Sequence, residues 1–230
     1  MMRFTLVVFI YLISLSFAGA IDPTPVEINS WKTQADRVTI IRDHYGIPHI
    51  YGKSDADAVF GLMYAQCEDD FKRIELNYIE KLGRLAEING IRDLYKDLYL
   101  RLLIDSADAI RDYRKSPKWM KKLLVAFADG INYYLFSHPE TIPKLLHRFE
   151  PWYPLLWTDG SIGAINTADV SEADVKAFYS GTPLQSSVIK PEKQLTGSNG
   201  FAIGPSRSAS GNALLYINPH VTFYFRPEVH

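Results

Sequence analysis

Cysteine is almost absent: Cys67 is the one thiol in 230 residues. A lone cysteine excludes an intrachain disulfide framework. No basic residue or histidine lies beside it to lower its pKa, so a buried, unreactive thiol in a helix is expected. An excess of one charge is lacking as well. Lysine and arginine total 25 against 26 acidic residues, a formal charge of −1. No Lys/Arg run or basic stripe interleaved with aromatics occurs, which excludes a nucleic-acid partner. Internal repeats and low-complexity tracts are missing, and a 47% hydrophobic composition excludes a disordered chain. Long apolar runs are confined to the start, so no stable membrane span is expected later.

That start is informative. Residues 1–20, MMRFTLVVFIYLISLSFAGA, carry one early cation at Arg3, an apolar stretch, and Ala18-Gly19-Ala20 as an A-x-A cleavage pattern. They read as a secretory signal, which places the mature chain in the periplasm or outside the cell.

After an exposed polar lead-in, IDPTPVEINS, the stretch RVTIIRDHYGIPHIYG reads as a hairpin: β-branched residues, a turn at HYGIP, a return strand. The period then becomes helical. One helix is expected from about Asp55 to Glu87, capped by Ser54 and stopped at Asn89-Gly90. A second covers about Leu94–Tyr113. A third runs from Ser116-Pro117 to His138-Pro139, with Met120, Leu123, Leu124, Phe127, Ile131 and Leu135 on its apolar face. A Pro-broken aromatic connection with a short helix follows, then a helix near Ser171–Tyr179 with Ser171 as cap and Asp174 at its third position. From Ser198 the period switches to two: SNGFAIGPS and NALLYINPH read as strands joined by RSASG. The fold class is α+β. The last residues, HVTFYFRPEVH, bring no closing element, and a hairpin alone is marginal in water. A larger portion is expected to follow.

The stretch TGSNG, residues 196–200, has two readings. One is a polar strand start after a glycine turn. The other is a Gly197–Ser198 bond that is meant to break. His44 and His49 flank YGIP at a spacing that suits neither one helix face nor one strand face, so packing and turn roles are expected of them.

The stretch from Ser198 to the NPH ending at His220 resembles the penicillin acylase family of N-terminal nucleophile hydrolases, with the acyl-homoserine lactone and aculeacin acylases closest in look. VTIIRDHYGIPHIYG followed by GLMYAQCEDDF resembles the start of that family's small subunit, and RIEL…EKLGRLAE continues it. The resemblance implies a four-layer αββα sandwich for the complete protein. Here residues 21–197 would be the mostly helical small subunit, with a linker peptide around KPEKQLTG. Residues 198–230 would be the truncated start of the large subunit, the small subunit's partner after processing.

It also implies self-cleavage at Gly197–Ser198. Ser198 would be the nucleophile and, through its freed amine, the base. His220 would support the amine or the substrate carbonyl, and Asn199 would brace the turn. The substrate would be an N-acylated small molecule: an acyl-homoserine lactone, a penicillin-type amide or a lipopeptide. The family's oxyanion-hole donors fall beyond residue 230, so these residues alone are expected to be inactive. Val221 stands where relatives often have an aromatic, which implies a different acyl pocket. No cofactor is expected from the residues. Calcium, which some relatives bind, would fall to Glu68, Asp69 and Asp70, which by themselves read as a solvated helix face. A non-catalytic secreted binding protein that keeps the fold is the alternative.

Overall fold

The structure, a computed structural model, describes residues 22–156, 170–181 and 197–220. The expected signal segment, the linker residues before Gly197 and Val221 lie outside the described residues. In chain order the elements are α1 (Pro25–Ala35), β1 (Val38–Arg42), β2 (Pro48–Gly52), α2 (Asp55–Lys81), α3 (Leu85–Asn89), α4 (Leu94–Leu103), α5 (Ser106–Lys115), α6 (Lys118–Ser137), α7 (Glu172–Tyr179), β3 (Gly197–Ile203) and β4 (Leu214–His220). Helices dominate, with two antiparallel two-stranded sheets, β1–β2 and β3–β4, among the described residues.

Three sequence expectations need correction. The lead-in is a helix. Thr24 caps α1 and Glu27 returns the bond to the Thr24 backbone, a capping box with Pro25 in the first turn. Only Trp31 of α1 is buried, so apolar periodicity could not reveal it. The helix expected to reach Glu87 stops at Lys81, because Gly83 takes φ +62° and α3 restarts beyond it. The helix expected over Leu94–Tyr113 is two. Asp105, in extended conformation, accepts from the Ala107 N–H and starts α5. The end of the Pro-broken connection forms a 3₁₀ turn, Tyr153–Leu155. By contrast, α6 and α7 follow their expected bounds, and Ser171 and Asp174 form a capping box.

The core lies between α2 and α6. A Cβ at Gly130 would stand 2.5 Å from the Phe60 carbonyl oxygen, so glycine is what lets the two backbones approach. Met63, Cys67, Phe71, Tyr78, Ile79, Ile131, Tyr134, Phe149 and Leu156 form one buried cluster; Trp31, Phe60 and Ala126 form a second. Four buried polar side chains tie segments distant in sequence. Glu75 accepts from the N–H groups of Leu145 and Leu146 at 2.8 and 3.0 Å. Asn132 bonds both main-chain groups of Phe149 at 2.9 Å. Asp97 accepts from Leu85 and Ala86 at 2.8 and 2.7 Å. Asp57 pairs with Arg37 at 2.8 Å and accepts from Ser54. Every partner removes a desolvation cost that would otherwise oppose burial.

Candidate active site

The candidate site sits at the open end of the β3–β4 ribbon. Ser198 to Ile203 alternate in a way that suits a pleated strand, and the link between strands is polar. Pro205–Arg207 form a 3₁₀ turn, the Ser208 and Ser210 hydroxyls share a hydrogen bond of 2.8 Å, and Gly211 adopts φ +70°. This turn fixes the register: Gly197 opposite His220, Ser198 opposite Pro219, Asn199 opposite Asn218. Residues directly opposite in an antiparallel pair lie about 5 Å apart. The register thus brings Gly197, Ser198 and His220 together from positions more than twenty residues apart in sequence.

Asn199 lies inside β3, where the strand reading of SNGFAIGPS puts it, opposite Asn218. Ser198 faces Pro219, with His220 one step along. By the two-residue period, positions 197, 199, 201 and 203 share a face with 220, 218, 216 and 214, while 198, 200 and 202 share the other with 219, 217 and 215. Asn218 and Pro219 were visible in the NPH motif, but their places opposite Asn199 and Ser198 depend on the length of the turn.

The other candidates disperse. His44 stacks on Tyr45 with ring centroids 3.7 Å apart, and His49 Nε2 lies 3.3 Å from Asp43 Oδ2. Asp43 Oδ1 accepts from the N–H groups of Tyr45 and Ile47, so this cluster closes the β1–β2 turn. Cys67 is buried, and burial pushes its thiol pKa up, away from thiolate chemistry.

Glu68, Asp69 and Asp70 are all exposed on α2, as the solvated reading expects, but the helix kinks at Asp70 and the three carboxylates are partnered. Arg42 pairs with Glu68 at 3.0 Å and with Asp69 at 2.8 Å. Asp70 leaves helical geometry, and its Oδ1 accepts from the Arg73 N–H at 3.1 Å, restarting the helix. These carboxylates already bind cationic side chains and a backbone donor, so they do not fit a calcium ion. Among the described residues no group of three or more His, Cys, Asp or Glu is arranged to hold a metal. No helix among them is long and apolar enough to cross a membrane.

The sequence model of the family described as penicillin amidase matches residues 37–229. The chain belongs to the penicillin amidase family. It is 27% identical over 237 residues to penicillin acylase 2 proenzyme of a Pseudomonas species, covering 81% of this chain and 30% of that relative. It is 29% identical over 136 residues to acyl-homoserine lactone acylase QuiP of Pseudomonas fluorescens, covering 57% of this chain and 17% of that relative. Acyl-homoserine lactone acylase PvdQ of Pseudomonas putida is 24% identical over 228 residues, with 88% and 30% covered. The chain thus spans less than a third of the length of these curated relatives. Among solved structures, a thermostable penicillin G acylase from Alcaligenes faecalis is similar at a TM-score of 0.50 and 22% identity, over 62% of this chain and 79% of that one. That likeness shows a shared fold.

Proposed function

We propose that the chain serves an amide-hydrolysing acylase that matures by cutting itself at Gly197–Ser198. The observation that carries this reading is the register that sets His220 opposite Gly197 and beside Ser198, within a family whose relatives are acylases, one of them named a proenzyme. In the first step Ser198 Oγ attacks the Gly197 carbonyl carbon. The C–N bond breaks, the hydroxyl proton passes to the departing nitrogen, and an ester joins Gly197 to Ser198. Water then hydrolyses the ester, leaving a Gly197 carboxylate and a Ser198 that carries both hydroxyl and α-amine. An unperturbed α-amine titrates at about 7.7–8.0, close to working pH. It takes the hydroxyl proton when Ser198 attacks a substrate amide, and gives it to the leaving amine. Water releases the acid.

His220 pairs with Gly197 in the register, one step from Ser198, and in this reading it acts on the site by supporting the freed amine. The substrate class follows the relatives' names: an N-acyl-homoserine lactone or a penicillin-type amide. Residues 21–197 act as the small subunit, and the remainder of the sandwich and the oxyanion donors come from a large subunit that starts at Ser198. Residues 1–20 direct the precursor to the periplasm or outside the cell and are removed on export.

N-terminal sequencing of the full reading frame, expressed with its signal, tests this. Two new termini, at Ile21 and Ser198, are expected, with the second abolished by Ser198→Ala. A folded, uncut protein with one terminus at Ile21 would overturn the mechanism and leave a binding protein.

A further inference from the structure

Charge is balanced over the whole chain but not within it. Residues 111–122, RDYRKSPKWMKK, hold six lysines and arginines against one acid, Asp112, with Tyr113 and Trp119 among them. This corrects the expectation that no basic run interleaved with aromatics occurs. The structure gathers the run at one corner, where α5 ends at Lys115 and α6 begins at Lys118. Lys121 Nζ donates to the Arg114 carbonyl at 2.6 Å and lies 5.8–6 Å class distance from the Tyr113 ring, 5.9 Å to its centre, so the first turns of α6 are tied to the last turn of α5. Arg111, Arg114, Lys115, Lys118 and Lys122 are all exposed. Arg111 is held by Asp108 and Asp112. Arg114, Lys115, Lys118, Lys121 and Lys122 have no ion pair among the described residues. Helix stability accounts for only part of this. Arg114 and Lys115 sit in the last turn of α5, where a cation suits the helix dipole. Lys118, Lys121 and Lys122 stand in the first turns of α6, where a cation opposes it. No acid offsets them there, and Pro117 supplies no side-chain cap. Trp119, beside them, is 65% exposed.

We propose that this corner, Arg114 to Lys122, docks the protein on the surface of an anionic phospholipid bilayer. The charges are complementary: unpaired cations meet anionic headgroups, and each adds to the attraction. The exposed indole fits the same boundary, because its ring is apolar and its N–H is polar, which suits headgroup level. Neither contact needs a groove or a fixed register, and the corner stays on the surface, since no described helix can cross a membrane. A nucleic acid would call for several rings on which bases stack, and the corner exposes one. The inference involves no acylase step and stands apart from the acylase reading.

The test is flotation of the full-length protein with vesicles of phosphatidylcholine containing about one-third phosphatidylglycerol, against vesicles of phosphatidylcholine alone. Binding to the anionic vesicles only is expected, and it should fade as salt rises towards about 1 M. The triple variant Lys115→Gln, Lys118→Gln, Lys122→Gln is expected to bind about a hundredfold more weakly, and Trp119→Ala also more weakly than the wild type. The triple variant's Tm should hold or rise, because two of its changes remove cations from the start of α6. A control that removes as much charge from exposed lysines elsewhere, Lys53→Gln, Lys72→Gln, Lys144→Gln, is expected to keep most of the binding. Equal loss in the control and the corner variant would overturn the proposal, since net charge alone would then explain the binding. So would a wild-type protein that ignores anionic vesicles, and tight binding to heparin or duplex DNA in that protein would assign the corner to a soluble polyanion instead.

Discussion

Glu27 shows how one side chain joins chain entry, helix and core. Its carboxylate accepts from the Thr24 N–H at 2.9 Å and the Thr24 hydroxyl at 2.8 Å, and it pairs with Arg148. These donors, the Thr24 backbone first, lower its pKa from 4.5 to about 2. A carboxyl whose pKa falls on folding contributes stability that is present above its unfolded value and is lost as pH drops through the folded one. Glu27→Gln is therefore expected to cost about 1 kcal/mol at pH 7, the scale of a helix cap. The gap in Tm between the two proteins closes as pH falls from about 4.5 towards 2. Thermal melts across that range check it, and a gap that widens in acid would contradict the assignment. The sequence T-P-V-E already contained this box, but without a repeating apolar stripe it read as a tail. The buried acids Asp57, Glu75 and Asp97 were less legible. Glu75 and Asp97 satisfy themselves on backbone N–H groups, and no sequence pattern marks such a partner. Asp57 sits in the first turn of α2 and also closes a buried pair with Arg37, a partner no local pattern announces.

At the scale of elements, local capping chemistry was readable and breaks within apolar patterns were not. Ser54, Ser171 with Asp174, and the end of α6 at His138 matched their expected places because each carries its own signal. The stretch LGRLAE kept helical spacing across Gly83, so periodicity alone ran through the break. The structure turns there because Gly83, at φ +62°, packs where a Cβ would meet Arg101 Cγ at 2.7 Å and the Asp97 carbonyl oxygen at 2.9 Å. Arg101 Nε donates to the Gly83 carbonyl at 3.0 Å and holds the corner. Gly83→Ala is expected to destabilise by about 2 kcal/mol or more, from left-handed strain plus the clash. Gly181→Ala, at φ +63° but with nothing within 4 Å, should cost about 1 kcal/mol from strain alone. Urea denaturation of both variants measures the difference. Equal costs would show that the packing around Gly83 relaxes freely.

Across the whole molecule, the two ends of the resemblance are organised differently. The hairpin β1–β2 is anchored: Val38 and Ile50 pack on α2 at Gly61, and Arg42 reaches the Ala65 carbonyl and Glu68. The ribbon β3–β4 exposes apolar side chains on both faces, Phe201 and Tyr216 on one and Leu215 on the other. Phe201 and Tyr216 pair across the strands with centroids 5.8 Å apart, a contact worth about 1 kcal/mol at most. The strands themselves were legible from their alternation. What would cover them was not, because the cover of a sheet is a long-range property. A two-stranded ribbon without packing is marginal in water, so the 230 residues should divide in stability. Hydrogen exchange followed by mass spectrometry is expected to label peptides within 197–220 in seconds. Peptides spanning Ile79 and Ile131, both fully buried, should stay protected far longer. Slow exchange in the ribbon that disappears on dilution would mean that copies of the chain cover one another. Slow exchange independent of concentration would mean that the ribbon docks on the helical body of its own chain.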